Sequence, residues 1–243
     1  MSELYRYDMI QACINVIQKR KQKVNYLEIG VQTGFCFFKI KADCKVAVDP
    51  DFIIKLKNKV KAYFKNPSNF NNKFFELTSD DFFSKQREYI SEIGGFDVVF
   101  IDGLHLFEQV LIDIENSLKY LNPGGVILVH DCNPLTEIAA VRAYTSTEVA
   151  QMNLPGWVNI WNGDVWKAIV GLRATRNDLD ITVINTDHGV GLITKGSAKD
   201  TLTLTKEAGE LAYSELDENR TQYLNLKGAE YFSTFIKEFE KRS

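Results

Sequence analysis

Apolar residues fall along this chain in two alternating rhythms. Near the start, Ile10, Cys13, Ile14 and Ile17 recur at helical spacing, which predicts an amphipathic helix within residues 1–24. Short β-rich runs follow at 25–29, 45–48, 73–77, 97–101 and 125–130, each bounded by turn residues or a helical pattern. The centres of the fourth and fifth, VVFI and VILV, are unbroken apolar runs, as in strands covered on both faces. Helical patterns lie between the runs at 52–64, around 80–93, and at 107–120. This alternation predicts a parallel sheet with helices on both sides. Two more strands, 180–185 and 189–194, are separated by Thr186, Asp187 and His188 and predict an antiparallel closing pair. The tail 200–243 is charged and helical. Its stripe of Tyr231, Phe232, Phe235 and Phe239 reads as core or as the contact of a homodimer.

Length and composition change this picture little. The 243 residues, 45% hydrophobic and 25% charged, suit one α/β domain with additions. Those additions are an N-terminal helical segment (1–24), a substrate-recognition insert (134–173) and a C-terminal helical extension (200–243). A net charge of −3 gives no reason to expect nucleic acid or a membrane as partner. The local exception is Lys55, Lys57, Lys59, Lys61 and Lys65, read as a solvated helix face, with a phosphate-binding patch as the alternative. The opening residues do not form a signal peptide, and no run reaches the ~18 apolar residues of a membrane span. The expectation is a cytoplasmic protein whose cysteines, Cys13, Cys36, Cys44 and Cys132, are reduced.

The first chemical signal is the segment 26–34, YLEIGVQTG, which ends a strand and leads toward a helix. Gly30 and Gly34 let the backbone turn sharply and approach a ligand with no Cβ in the way. Asp49 ends the second strand about twenty residues later, where dinucleotide folds place a carboxylate on a ribose diol. Binders of NAD and of S-adenosylmethionine share that feature. The turn lacks the full Gly-x-Gly-x-x-Gly that packs a pyrophosphate against a helix start. Tyr-x-x-x-Lys occurs only at Tyr223 and Lys227, beyond the expected sheet. A sulfonium cofactor therefore fits better than NAD.

With LTSDDFF (77–83), the run from Phe96 to Pro134 and GDVWKAI (163–169), these strings resemble the class I S-adenosylmethionine-dependent methyltransferases, in particular the Methyltransf_24-like group. The resemblance is clear over 26–130 and weaker to about 194. It implies a Rossmann-like, doubly wound, mostly parallel seven-stranded sheet with an antiparallel last strand. It also implies Glu28 and Gly30 near the methionine part of the cofactor, Asp49 on the ribose, and Ser79 and Asp80 near the adenine.

Methyl transfer from a sulfonium is an in-line displacement. The protein has to align the acceptor and, for a hydroxyl, help remove its proton. Candidates cluster past the fourth and fifth strands: Asp102 and His105, then His130, Asp131, Cys132 and Asn133. Neighbouring strands lie about 4.8 Å apart, so Asp102 and Asp131 could share one space. They would repel unless a proton or cation lay between them. Mg²⁺ on Asp102 and Asp131, with Asn133 or water completing the shell, answers that repulsion and acidifies a substrate hydroxyl. Catechol-type O-methyltransferases have Asp after the fourth strand and Asp-Asn after the fifth. Here Cys132 follows Asp131, and Asn133 comes one place late. The alternative makes His105 a metal-free base, with Asp102 orienting it or the cofactor's amino group. In the insert, Trp157, Trp161 and Trp166 stand beside polar residues and suit a sugar or flat ring, or else pack the insert onto the sheet. The reading is O-methylation of a small molecule or saccharide; N-methylation and a non-catalytic cofactor-binding module are the alternatives.

Overall fold

The computed structural model describes residues 3–241. Eight strands form one sheet: β1 (Asn25–Ile29), β2 (Cys44–Asp49), β3 (Asn72–Glu76), β4 (Phe96–Ile101), β5 (Leu121–Val129), β6 (Leu179–Asn185), β7 (Val190–Lys195) and β8 (Leu226–Gly228). Their order is β3-β2-β1-β4-β5-β7-β6-β8. Only β7 runs against its neighbours, pairing antiparallel with β5 and with β6. The mostly parallel seven-stranded sheet with an antiparallel last strand is therefore present with an eighth strand added. β8 pairs parallel to β6 through Val183 opposite Leu226, so it is a sheet edge within the expected helical extension.

Side chains of successive strand residues point to opposite faces, and the core divides accordingly. Leu27, Ile29, Val99, Ile101, Ile127 and Val129 pack under α3 (Ser79–Lys85), α4 (Arg87–Ile93), α5 (Phe107–Tyr120), α7 (Val165–Thr175) and α8 (Tyr213–Leu224). Tyr26, Ala47, Val98, Phe100, Val126 and Leu128 pack under α1 (Arg6–Gln18) and α9 (Tyr231–Lys241). β4 is buried at every position, which is why its centre reads as an unbroken apolar run.

Three elements differ from expectation. α2 (Leu56–Lys65) starts four residues late, leaving Phe52 to Lys55 irregular. The helical region around 80–93 breaks at Gln86, and the second piece ends on Gly94 in the left-handed conformation, φ +78°. The insert is shorter than 134–173, because α7 is the crossover helix from β5 to β6 and buries Trp166 and Ile169 in the core. Within the remainder lies α6 (Ser146–Gln151). The aromatic stripe of α9 packs within the chain, with Phe232, Phe235 and Phe239 beside α1 and the Arg20 guanidinium over Phe239.

The chain leaves β1 toward β2 and β3 on one side, then returns as β4 on the other. The order reverses between β1 and β4, and ligands bind at such a point beyond the carboxyl ends of the strands.

Candidate active site

A cleft of about 920 Å³ opens at that reversal. One end is lined by Glu28, Gly30, Asp49, Ser79 and Asp80; the other by Asp102, His105, His130, Asp131 and Trp161. The sequence candidates Glu28, Gly30, Asp49, Ser79, Asp80, Asp102, His105 and Asp131 thus share one wall system. Gly34 and Asn133 stand outside it.

Gly30 has φ +84°, and a Cβ there would sit 2.0 Å from the carbonyl oxygen of Asp102. The loop after β4 crosses directly over β1's end, and only glycine permits it. Gly30→Ala should cost on the order of 3 kcal/mol or more, lowering the melting temperature by at least about 6 °C for a chain of this size. An unchanged melt would show that the loop yields. Gly34 has φ +76° and lies against the Phe38 ring. Its amide donates to the Val31 carbonyl, so it shapes the turn from behind.

Asp49 accepts the backbone amides of Gln32 (2.7 Å) and Asp51 (2.8 Å), tying the β1 loop to the end of β2. Glu28 is buried in the floor and accepts the Tyr26 hydroxyl. Burial pushes its carboxyl up to about 8. At the far end Ser79 Oγ donates to Asp113 Oδ1 (2.6 Å), which also accepts from Gln109 (3.0 Å). Burial raises Asp113 to about 6. Asp113 and Gln109 line the cleft, and the sequence reading missed both, since Asp113 reads as one polar residue in an apolar helix.

The other end gathers three carboxylates and the chain's three histidines. His105 Nε2 lies 3.7 Å from Asp102 Oδ1 and 3.4 Å from Asp131 Oδ2. His130 Nδ1 lies 2.9 Å from Asp131 Oδ2 and 3.3 Å from Asp102 Oδ1. These contacts are electrostatic: His105 Nδ1 and both ring nitrogens of His130 lack an aligned hydrogen-bond partner among the described residues. His188 lines the cleft and sets its ring edge-on to His130. Arg6, from α1, donates to Asp102 Oδ2 (2.8 Å) and to both oxygens of Asp187 (2.8 and 3.0 Å). Burial opposes charge throughout, yet the charges win. Asp131 and Asp102 hold the His130 imidazole well above its usual range, and Asp131 leads in raising His105. The nearby His130 and His105 imidazoles and the Arg6 guanidinium keep Asp102 well below the carboxylate range.

The insert fixes His105. Trp161 stacks on its ring at 4.7 Å, and Trp161 Nε1 donates to the Val141 carbonyl. Asp164 accepts the Phe107 amide at the start of α5 and is pinned by Arg142. Asn162 donates to Asp131 Oδ1 at 2.6 Å.

Asn133 is not a partner of this cluster. Asp131 has φ +60°, a left-handed turn that redirects the chain. The Asn133 side chain then donates to Asn185 and accepts from Arg220, away from the carboxylates. The groups that do converge are Asp102, His105 and Asp131, with one donor atom from each lying within 4.8 Å of the others. Cys132 is buried with its thiol directed at the Val129 carbonyl, and burial pushes its pKa up. No helix among the described residues is long and apolar enough to cross a membrane.

A parallel sheet closed by an antiparallel seventh strand, with a cleft at its switch point, is the architecture of the class I methyltransferases. Residues 27–132 match the family model Methyltransf_24, a methyltransferase domain. No curated protein matches the chain in sequence. Among solved structures, cofactor-bound Rv0187 from MTB is 16% identical with a TM-score of 0.53, covering 81% of this chain and 83% of that one. The O-methyltransferase TomG from Streptomyces achromogenes, in complex with SAM, is 16% identical with a TM-score of 0.50 over 77% and 80%. The SAH-bound methyltransferase PaMTH1 of Podospora anserina is 19% identical with a TM-score of 0.50 over 76% of each chain. These likenesses show the shared fold. Residues 27–132 thus carry a methyltransferase domain, set in the fold of the class I, S-adenosylmethionine-dependent methyltransferases.

Proposed function

We propose that the enzyme methylates a hydroxyl oxygen of a small molecule or saccharide, with His105 taking the hydroxyl proton. The observation that carries this reading is the His105 imidazole, stacked on Trp161 in the cleft wall and flanked by Asp102 and Asp131. When bound, S-adenosylmethionine supplies an electrophilic methyl group. Glu28, Gly30 and Asp49 line the end of the cleft suited to its methionine and ribose, and Ser79 and Asp80 the end suited to adenine. Asp102 and Asp131 orient the imidazole and stabilise it once protonated. Trp161 offers a flat face beside that base, which suits an aromatic or sugar ring.

A second reading rests on the convergent donor set. Two carboxylates and an imidazole within 4.8 Å fit a divalent cation such as Mg²⁺ or Mn²⁺. Asp102, Asp131 and His105 would hold it, and it would supply a Lewis acid that acidifies the acceptor hydroxyl.

Transfer of labelled methyl to a panel of phenols, sugars and amines tests the acceptor, with the methylated atom located by mass spectrometry. Labelled amine products alone would replace oxygen with nitrogen as the acceptor. Repeating the assay with EDTA separates the two readings. Activity unchanged by the chelator assigns proton removal to His105 alone. Loss on chelation, restored by Mg²⁺ or Mn²⁺, assigns the cation.

A further inference from the structure

The lysine run, assigned from sequence to a solvated helix face, gains a second property in the structure. Leu56, Val60 and Phe64 are 75%, 45% and 86% exposed and lie four residues apart, so they form one apolar ridge along α2. Ile53, also exposed, extends the ridge to the cleft whose wall it lines. Phe70, 71% exposed, stacks on Tyr63 and widens it. No residue of α2 is buried. Lys57, Lys61 and Lys65 repeat the same spacing one step around the helix, forming a basic row beside the ridge. Lys59 alone turns inward, over the Phe74 ring. None of Lys55, Lys57, Lys59, Lys61 and Lys65 has a carboxylate partner among the described residues, although the chain is acidic overall.

We propose that this face docks on an anionic lipid surface, with Leu56, Phe64 and Phe70 entering the acyl boundary and the lysines meeting headgroup phosphates. A helix that is apolar along one stripe and basic along the next lies in the plane of such an interface. Leu56 and Phe64, the most exposed of the row, stand clear of the protein surface. A second copy meeting it through the same patch would set lysine row against lysine row, and like charges disfavour that pairing. Anionic lipid supplies the opposite charge. The proposal is independent of what the cleft methylates.

Vesicle co-sedimentation of the full chain tests it, using phosphatidylcholine alone and phosphatidylcholine mixed with anionic phosphatidylglycerol. Binding is expected only to the anionic vesicles and should weaken with added salt. Each lysine replaced by glutamine at 55, 57 and 61 should lower partitioning about fivefold. L56S/F64S should lower it by at least about tenfold. Both variants should keep wild-type affinity for S-adenosylhomocysteine, which shows that they are folded. No binding to anionic vesicles overturns the proposal, as does equal binding to both compositions or full binding by L56S/F64S. Inorganic phosphate that competes the protein off at millimolar levels would assign the lysines to free anion and overturn it too. So would a wild-type dimer in sedimentation velocity that L56S/F64S converts to monomer, since the ridge would then belong to a second copy.

Discussion

Exchanging His105 for glutamine lowers the methyl-transfer rate by about 10²–10⁴-fold, the usual worth of a positioned general base, and leaves affinity for S-adenosylhomocysteine unchanged. Glutamine keeps a polar planar group beside Trp161 but takes up no proton. The same assay across pH reports the group itself. Asp131 and Asp102 raise the His105 imidazole above its ordinary value, so it carries a proton at low pH and cannot act as a base. Activity should therefore rise with pH through a midpoint above that of a free imidazole. Asp131→Asn removes the charge that contributes most to the shift and should move the midpoint toward lower pH. A flat profile in the wild type, or full activity in His105→Gln, would remove His105 from the chemistry.

Asp49→Ala should weaken S-adenosylhomocysteine binding by about two to three orders of magnitude, measured by titration calorimetry. A carboxylate accepting two ribose hydroxyls makes charge-assisted hydrogen bonds of about 1.5–3 kcal/mol each. Asp49 also holds the Gln32 and Asp51 amides, so its loss loosens the loop around Gly30. Asp49→Asn keeps one acceptor oxygen and should fall between the wild type and Asp49→Ala. Wild-type affinity in Asp49→Ala would place the ribose elsewhere in the cleft.

Parts of this molecule were legible because their physics is local. β4 and β5 bury both faces in their inner stretches and so read as apolar runs. Gly30 and Asp49 sit at strand ends, where the chain must turn and where ligands meet the sheet. The helix α7 was hidden for the opposite reason. It buries Val165, Trp166, Ala168, Ile169, Val170 and Leu172, nearly all around its circumference, and so shows little amphipathic period. β8 has three residues, too few for an alternation to register. Asn133 was expected beside the carboxylates by likeness to the Asp-Asn pair of catechol-type O-methyltransferases, although it comes one place late. The left-handed turn at Asp131 sends it to Arg220 instead. Arg6 gave no signal at all: its partners Asp102 and Asp187 lie 96 and 181 positions away.

That last contact has a consequence for how the enzyme comes into being. The guanidinium that balances the cluster is synthesised 181 positions before its partner Asp187. A nascent chain can assemble its first five strands and the end of the cleft around Gly30 and Asp49 while the end around Asp102 still lacks its charge balance. The two halves of the active site mature at different times. Substitution of Arg6 should therefore be felt at the cluster of Asp102 and Asp187 before it is felt in the fold.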